Sequence, residues 1–253
     1  MQMPEIKTIE DLSLNAWPSH QIEIYDGWLL RFSYFYTHRT NSVEQIGISS
    51  IPLPEKIDYC ENRYKTWGTP SVFKISPLSV PELEPDLEER GYEVEHITRV
   101  MFFEFPRIYQ PDPPAVEVNI SPLISDQWIQ GLFTLKNTTN VMHRKIVPSM
   151  YRAIPKETIC VNIREGERII GTGLGILDRD YVGVYAIHVH PDYRRRGYAR
   201  SICTTILREG RRKGAAYAYL QVVDDNASAI ALYESLGFRQ LYTYWFRTLQ
   251  LIG

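Results

Sequence analysis

Apolar and polar positions alternate along this chain with two periods, and each change of period marks a new element. Asp26-Gly27 turns into a strand at Trp28-Leu29-Leu30-Arg31-Phe32. From Pro54 to Trp67 the apolar residues Ile57, Cys60, Tyr64 and Trp67 recur every three or four positions, which predicts an amphipathic helix closed by Gly68. Ser71–Ile75 is a short strand, Pro85–Arg90 a second helix ending at Gly91, and Val100–Phe103 part of a further strand. The order strand, helix, strand, helix, strand is that of an α/β unit.

The second half is more regular. Ala115–Ser121 is expected as a strand, and Ser125 or Asp126 can cap the helix behind it. Glu157–Ile163 and Ile169–Leu177 predict a hairpin that turns at Glu165-Gly166-Glu167. Val182–Val189 is a strand. Gly197–Lys213 is a helix with an apolar stripe of Ala199, Ile202, Cys203, Ile206 and Leu207. Ala216–Val223 is a strand, Ala227–Leu236 a helix ending at Gly237, and Leu241–Leu251 the last strand. His143-Arg144-Lys145 reads as the face of a loop. Gly171-Thr172-Gly173-Leu174-Gly175 has no helix pattern after it, so it reads as a glycine-rich strand and not a nucleotide loop.

Composition narrows the class. The 253 residues suffice for one large or two small domains, and 44% hydrophobic with 23% charged residues suits a folded soluble protein. A net charge of −2 gives no surplus to hold a polyanion, so nucleic acid is not an expected partner. Three scattered cysteines, Cys60, Cys160 and Cys203, form no disulfide framework or metal cluster and point to a reducing compartment. There is no signal-peptide pattern and no apolar run near the ~20 residues that span a bilayer, so a cytoplasmic protein without membrane contact is expected.

The charge is uneven. Residues 1–110 carry 10 Lys+Arg against 17 Asp+Glu, and residues 111–253 carry 18 against 13. Between them Pro106, Pro111, Pro113 and Pro114 deny backbone donors and favour an extended linker, which divides the chain into 1–105, the linker 106–114, and 115–253. The opposite charges allow the halves to dock or to remain separately solvated. In the first half, His38 and Arg39 beside Thr40 and Asn41 read first as exposed polar residues at a strand end and second as ligand contacts.

Chemistry concentrates after Val189. The strand runs through His190-Pro191-Asp192-Tyr193 into Arg194-Arg195-Arg196-Gly197-Tyr198-Ala199-Arg200 and straight into a helix. A helix N-terminus offers free N–H groups and the positive end of its dipole. Gly197 lets an anion approach the backbone, and the arginines add counter-charge, so the segment suits a pyrophosphate. Arg194-x-x-Gly197-x-Ala199 after a strand resembles the acyl-CoA signature of the GCN5-related N-acetyltransferase (GNAT) superfamily. Asp225-Asn226-Ala227 through Leu232-Tyr233-Glu234-Ser235-Leu236-Gly237-Phe238 is similar to the closing helix of that family. The resemblance covers roughly residues 115–250.

The resemblance implies an α/β (α+β) GNAT fold, a mixed and mostly antiparallel sheet flanked by helices, and acetyl-CoA as co-substrate without a metal. It implies that Ile187, His188 and Val189 offer main-chain groups to the pantetheine arm. Arg194, Arg195, Arg196, Gly197, Tyr198, Ala199 and Arg200 would wrap the pyrophosphate, and Asn226 would contact the cofactor. Tyr233 matches the tyrosine that protonates the departing thiolate, and its alternative is a buried helix tyrosine. The general base stays open. Gln221 stands where some relatives carry glutamate, His188 and His190 share one strand face, and Asp224 and Asp225 lie nearby, with Asp225 the expected helix cap.

The first half repeats the closing order of the second, Glu89-Arg90-Gly91-Tyr92 resembling Ser235-Leu236-Gly237-Phe238, but lacks the arginines and glycine of the cradle. It reads as a degenerate GNAT-like domain, as in tandem members, that walls the acceptor groove. Its acidic balance leads to the expectation of a cationic acceptor. The function implied is N-acetyl transfer to a primary amine, on a small molecule or a peptide, by direct attack in a ternary complex. The alternative is a non-catalytic acyl-CoA-binding regulator or scaffold. Transfer of a longer acyl group, or to a hydroxyl, is a third reading.

Overall fold

Residues 5–251 are described by a computed structural model. The first half runs α1 (Ile6–Ala16), β1 (Gln21–Tyr25), β2 (Trp28–Phe32), a 3-10 turn (His38–Thr40), β3 (Val43–Gln45), α2 (Leu53–Thr66), β4 (Ser71–Ile75), α3 (Leu83–Glu89) and β5 (Glu93–Glu104). The second runs β6 (Asn119–Ser121), α4 (Asp126–Leu135), α5 (Val141–Arg152), β7 (Glu157–Glu165), β8 (Arg168–Asp178) and β9 (Tyr181–Val189). A 3-10 turn (Pro191–Tyr193), α6 (Tyr198–Arg212), β10 (Tyr217–Val223), α7 (Ala227–Ser235) and β11 (Arg239–Leu249) complete it.

All eleven strands form one sheet, β1-β2-β3-β4-β11-β5-β10-β9-β8-β7-β6. Two neighbouring pairs are parallel, β3 with β4 and β10 with β9, and the others are antiparallel. This is the expected mixed, mostly antiparallel sheet flanked by helices. The two halves exchange their last strands. β5 leaves the first half to pair with β10, and β11 leaves the second to pair with β4, so β5 and β11 lie side by side at the centre. Reading outward from that pair, each side meets a strand, a parallel neighbour and an antiparallel neighbour.

Helices cover both faces. α6 and α7 close a core of Ile202, Ile206, Val222 and Tyr233 on one side of the second half, and α4 and α5 bury Trp128, Phe133, Val147 and Met150 on the other. α6 lies close to the sheet because β8 is glycine-rich: a Cβ on Gly173 would come within 2.3 Å of Ile202. α1 places Ile9 and Leu12 over the central seam, where Val72, Val100, Tyr219 and Phe246 from both halves meet.

Three expectations need correction. His143-Arg144-Lys145 is not a loop but the first turn of α5, which Asn140 caps by accepting from the His143 N–H at 3.0 Å. Residues 115–118 do not form a strand; the Ala115 N–H donates to Ser201 Oγ at 3.1 Å instead, and pairing starts at Asn119. The cap of α7 is Asn226, not Asp225, because the Asn226 Oδ1 reaches the Ala229 N–H at 3.2 Å.

Candidate active site

β9 and β10 pair only from Tyr181↔Tyr217 to Val184↔Leu220. Beyond that point β9 stays with β8 and β10 stays with β5, so the two strands part. A bulge opens β9 at this place, with Ala186 in a left-handed conformation (φ 51°). The side chains of Ile187 and Val189 pack toward the α6 core, while Ala186 and His188 line a cavity on the opposite face.

The turn after β9 is exposed and shaped by two left-handed residues, Arg195 (φ 62°) and Gly197 (φ 78°), the latter being the N-cap of α6. Apart from its own chain neighbours, the described atom nearest to a Cβ built on Gly197 is Ala115 Cβ at 3.9 Å, an ordinary contact, so no close packing crowds this backbone. The first amide of α6 to bond back is Ser201, to the Gly197 carbonyl at 2.9 Å. The N–H groups of Tyr198, Ala199 and Arg200 before it are free by helix geometry. Arg194 Nε donates to the Val189 carbonyl at 3.3 Å, Arg196 lies over the Tyr193 ring, and Arg200 donates to Ser235 Oγ. Free amides, a helix dipole and flanking cations on an open surface fit a diphosphate.

Tyr233 lies buried in the core between α6 and α7, edge-on to Phe238, and burial together with the nearby Cys203 raises its pKa far above the ordinary phenol value. Asn226 sits at the start of α7, where its Oδ1 is used in capping. The candidate bases fall into different settings. The Gln221 amide is held at both ends, its Oε1 accepting from Tyr244 OH at 2.9 Å and its Nε2 donating to Ser13 Oγ at 2.7 Å. Burial, with Lys136 and Arg194 nearby, pushes the His188 pKa down to about 4. His190 Nδ1 accepts from the Asp192 N–H, and its Nε2 lies 2.6 Å from Arg168. Asp224 is paired with Arg99.

The cavity beside the splay has a volume of about 160 Å³. Tyr185, His188 and Gln221 come to it from the second half, Arg31, Arg39, Glu44 and Lys74 from the first, and Lys136 and Tyr151 from α4's end and α5. The first half thus builds one wall. Its buried acids are neutralised there. Glu10 pairs with Lys74 and accepts from Tyr242 OH at 2.5 Å, while Glu44 meets Lys74 at 3.2 Å and Arg31 at 3.3 Å. Burial works against the Lys74 ammonium, but Glu10 and Glu44 outweigh it and raise its pKa. The carboxylate that lines the cavity, Glu44, is thus paired with Lys74 and Arg31, so it presents no unpaired negative charge to an acceptor. Arg39 itself is half-buried and bonded to Tyr244 OH at 3.0 Å through Nε, in contrast to the exposed strand-end reading. Its neighbour His38 is anchored to β5 by Glu95 at 2.8 Å.

Tyr244 and Ser13 were beyond sequence reasoning. The alternation of Tyr242, Tyr244 and Phe246 does mark one buried face of β11, but not which half that face meets.

The family model described as "Probable histone acetyltransferase Rv0428c C-terminal" matches residues 3–246. The chain is 24% identical over 260 residues to the uncharacterized N-acetyltransferase YobR of Bacillus subtilis (strain 168), an alignment that covers 97% of this chain and 99% of that protein. The solved GCN5-related N-acetyltransferase from Kribbella flavida superposes with a TM-score of 0.69 at 15% identity, covering 98% of this chain and 95% of that one. A tandem GNAT protein from the clavulanic acid biosynthesis pathway superposes with a TM-score of 0.63 at 13% identity, covering 83% and 74%. At these identities the two structures establish the fold.

Proposed function

The chain belongs to the Rv0428c C-terminal family, within the GNAT N-acetyltransferases, and on that premise we propose that it transfers an acetyl group from acetyl-CoA to a primary amine, with both substrates bound at once. The observation that carries this reading is the junction of two features: the parting of β9 from β10 and the free amides at the N-terminus of α6 just beyond it. Acetyl-CoA would supply a thioester carbonyl open to attack by an amine.

The residues of the chain divide the work. Arg194 to Arg200, with Gly197 in its left-handed turn, would hold the diphosphate through main-chain N–H groups and flanking guanidinium charge. Ile187, His188 and Val189 would offer main-chain groups at the splay, since β9 has no partner strand on its β10 side there. Asn226 would border the cofactor beside the cap of α7. Tyr233, whose phenol is protonated at neutral pH, would donate its proton to the leaving sulfur. The first half, residues 1–105, would serve as a degenerate GNAT-like wall of the acceptor cavity, and the acceptor amine would be on a small molecule or a peptide. We place the protein in the cytoplasm; among the described residues no helix is long and apolar enough to cross a membrane.

A second reading is an acyl-CoA-binding regulator without turnover. It is favoured by Gln221, a neutral amide already engaged by Tyr244 and Ser13 and unable to take a proton. Free thiol followed in a mixture of protein, acetyl-CoA and a panel of primary amines separates the two. Amine-dependent thiol release is expected. Saturable acetyl-CoA binding with no release from any amine would replace the enzyme by the regulator.

A further inference from the structure

The charges around the cavity do not balance. Of its four cationic side chains, Lys74 and Arg31 share the buried Glu10 and Glu44 carboxylates. Arg39 and Lys136, by contrast, have no carboxylate within 4.0 Å among the described residues. Lys136, at the cavity rim, is bonded only to a neutral group, Tyr36 OH at 3.1 Å. Arg39 donates through Nε to Tyr244 OH at 3.0 Å, and neither Nη group makes a hydrogen bond to the described residues. A half-buried guanidinium with two open donors is a fork that matches one carboxylate in a bidentate manner. Removing such a charge from water without a partner is costly, and an incoming anion would offset that cost. Lys136 also disfavours the protonated form of His188, after burial and together with Arg194.

Position matters as much as charge. Arg39 bonds Tyr244, Tyr244 bonds Gln221, and Gln221 is the first residue of β10 beyond its pairing with β9. The open Nη groups therefore stand beside the place where the strands part. A cavity of about 160 Å³ suits a molecule the size of an amino acid.

We infer that the acceptor is a small amine that carries a carboxylate, gripped by the free Nη groups of Arg39 with Lys136 adding charge at the rim, so that the amino group faces the opening between β9 and β10. This assignment rests on the acetyltransferase reading and names its substrate class.

The test compares acids with their amides. Glycine, β-alanine, γ-aminobutyrate and the nineteen standard L-α-amino acids, each beside its carboxamide, are followed for thiol release from acetyl-CoA. In parallel, the rise in Tm that each produces in the presence of coenzyme A is measured. At least one acid is expected to exceed its amide by about 10- to 100-fold in kcat/KM, the range for a lost charge-assisted contact. Arg39→Gln should bring that ratio close to 1, Arg39→Lys should restore part of it, and Lys136→Met should reduce it less. Acid and amide turned over equally by the unaltered protein would overturn the assignment while leaving the acetyltransferase reading intact. Acids that raise Tm through Arg39 without thiol release would leave a carboxylate site at Arg39 but overturn the acetyltransferase reading and, with it, the acceptor assignment. If no acid raises Tm or releases thiol, the assignment also falls.

Discussion

Tyr233 is protonated through the neutral range as any phenol is, burial extends that state to higher pH, and it is the state a proton donor needs. Tyr233→Phe keeps the ring in the core and removes only the O–H. The expected result is a kcat about 100-fold lower with coenzyme A affinity little changed, measured by thiol release and by equilibrium binding. An undiminished kcat would assign the proton to water. His188 makes a second prediction at this scale. Its folded pKa of about 4 lies below the ordinary 6.5, so between those values the unfolded chain binds more protons and stability falls as pH falls. The midpoint of urea unfolding should drop from pH 7 to pH 4, and His188→Gln should flatten that dependence. At this scale the turn proposed as the cradle is legible because Arg194 to Arg200 are contiguous. Tyr244 and Ser13 are not, and Arg39 reads only second as a ligand contact, since a hydrogen-bonded chain drawn from distant segments leaves no local spacing to read.

Among the elements, α6 depends on its first residue in a way that can be checked. Gly197 caps it with φ 78°, a conformation that costs an L-residue roughly 1 kcal/mol, yet a Cβ there would meet Ala115 only at an ordinary contact distance of 3.9 Å. Gly197→Glu should therefore fold, with a modest loss of Tm, while its carboxylate repels the diphosphate. Coenzyme A affinity is expected to fall at least about 100-fold by calorimetry, since one like charge replaces open anion space. Gly197→Ala should lie between the two. Unchanged binding by Gly197→Glu would mean that the cradle lies elsewhere. Helices with a clean stripe and a glycine stop, α2 and α6, were read to within a residue or so of their observed bounds. α5 was hidden by Pro148, which normally argues against a helix interior but here is tolerated beside the buried Ile146, Val147, Met150 and Tyr151. α1 keeps helical spacing at Ile9, Leu12 and Ala16 but has no side-chain cap, no acidic residue in its first turn and no basic one in its last, so no local signal marks its ends.

Over the whole molecule the governing feature is the strand exchange. β5 pairs with β10 and β11 with β4, so each half completes its sheet with a strand of the other. A cut in the linker 106–114 therefore leaves both exchanged strands in place. A protease site inserted there should give two fragments that elute together without denaturant and retain a single unfolding transition. Fragments that separate on gel filtration would show that the exchange adds little. The local pattern by itself determined most changes of period, which residues face inward within those elements, and one segment whose backbone and charge suit an anion. These follow from side-chain periodicity and backbone conformation over a few residues. Strand order was decided only in three dimensions. Val100 and Tyr242 would look equally buried beside either half's strands, and the choice rests on which neighbours complete the sheet and its core. That choice brings Arg39 of one half to Gln221 of the other, a meeting of residues that no local spacing encodes.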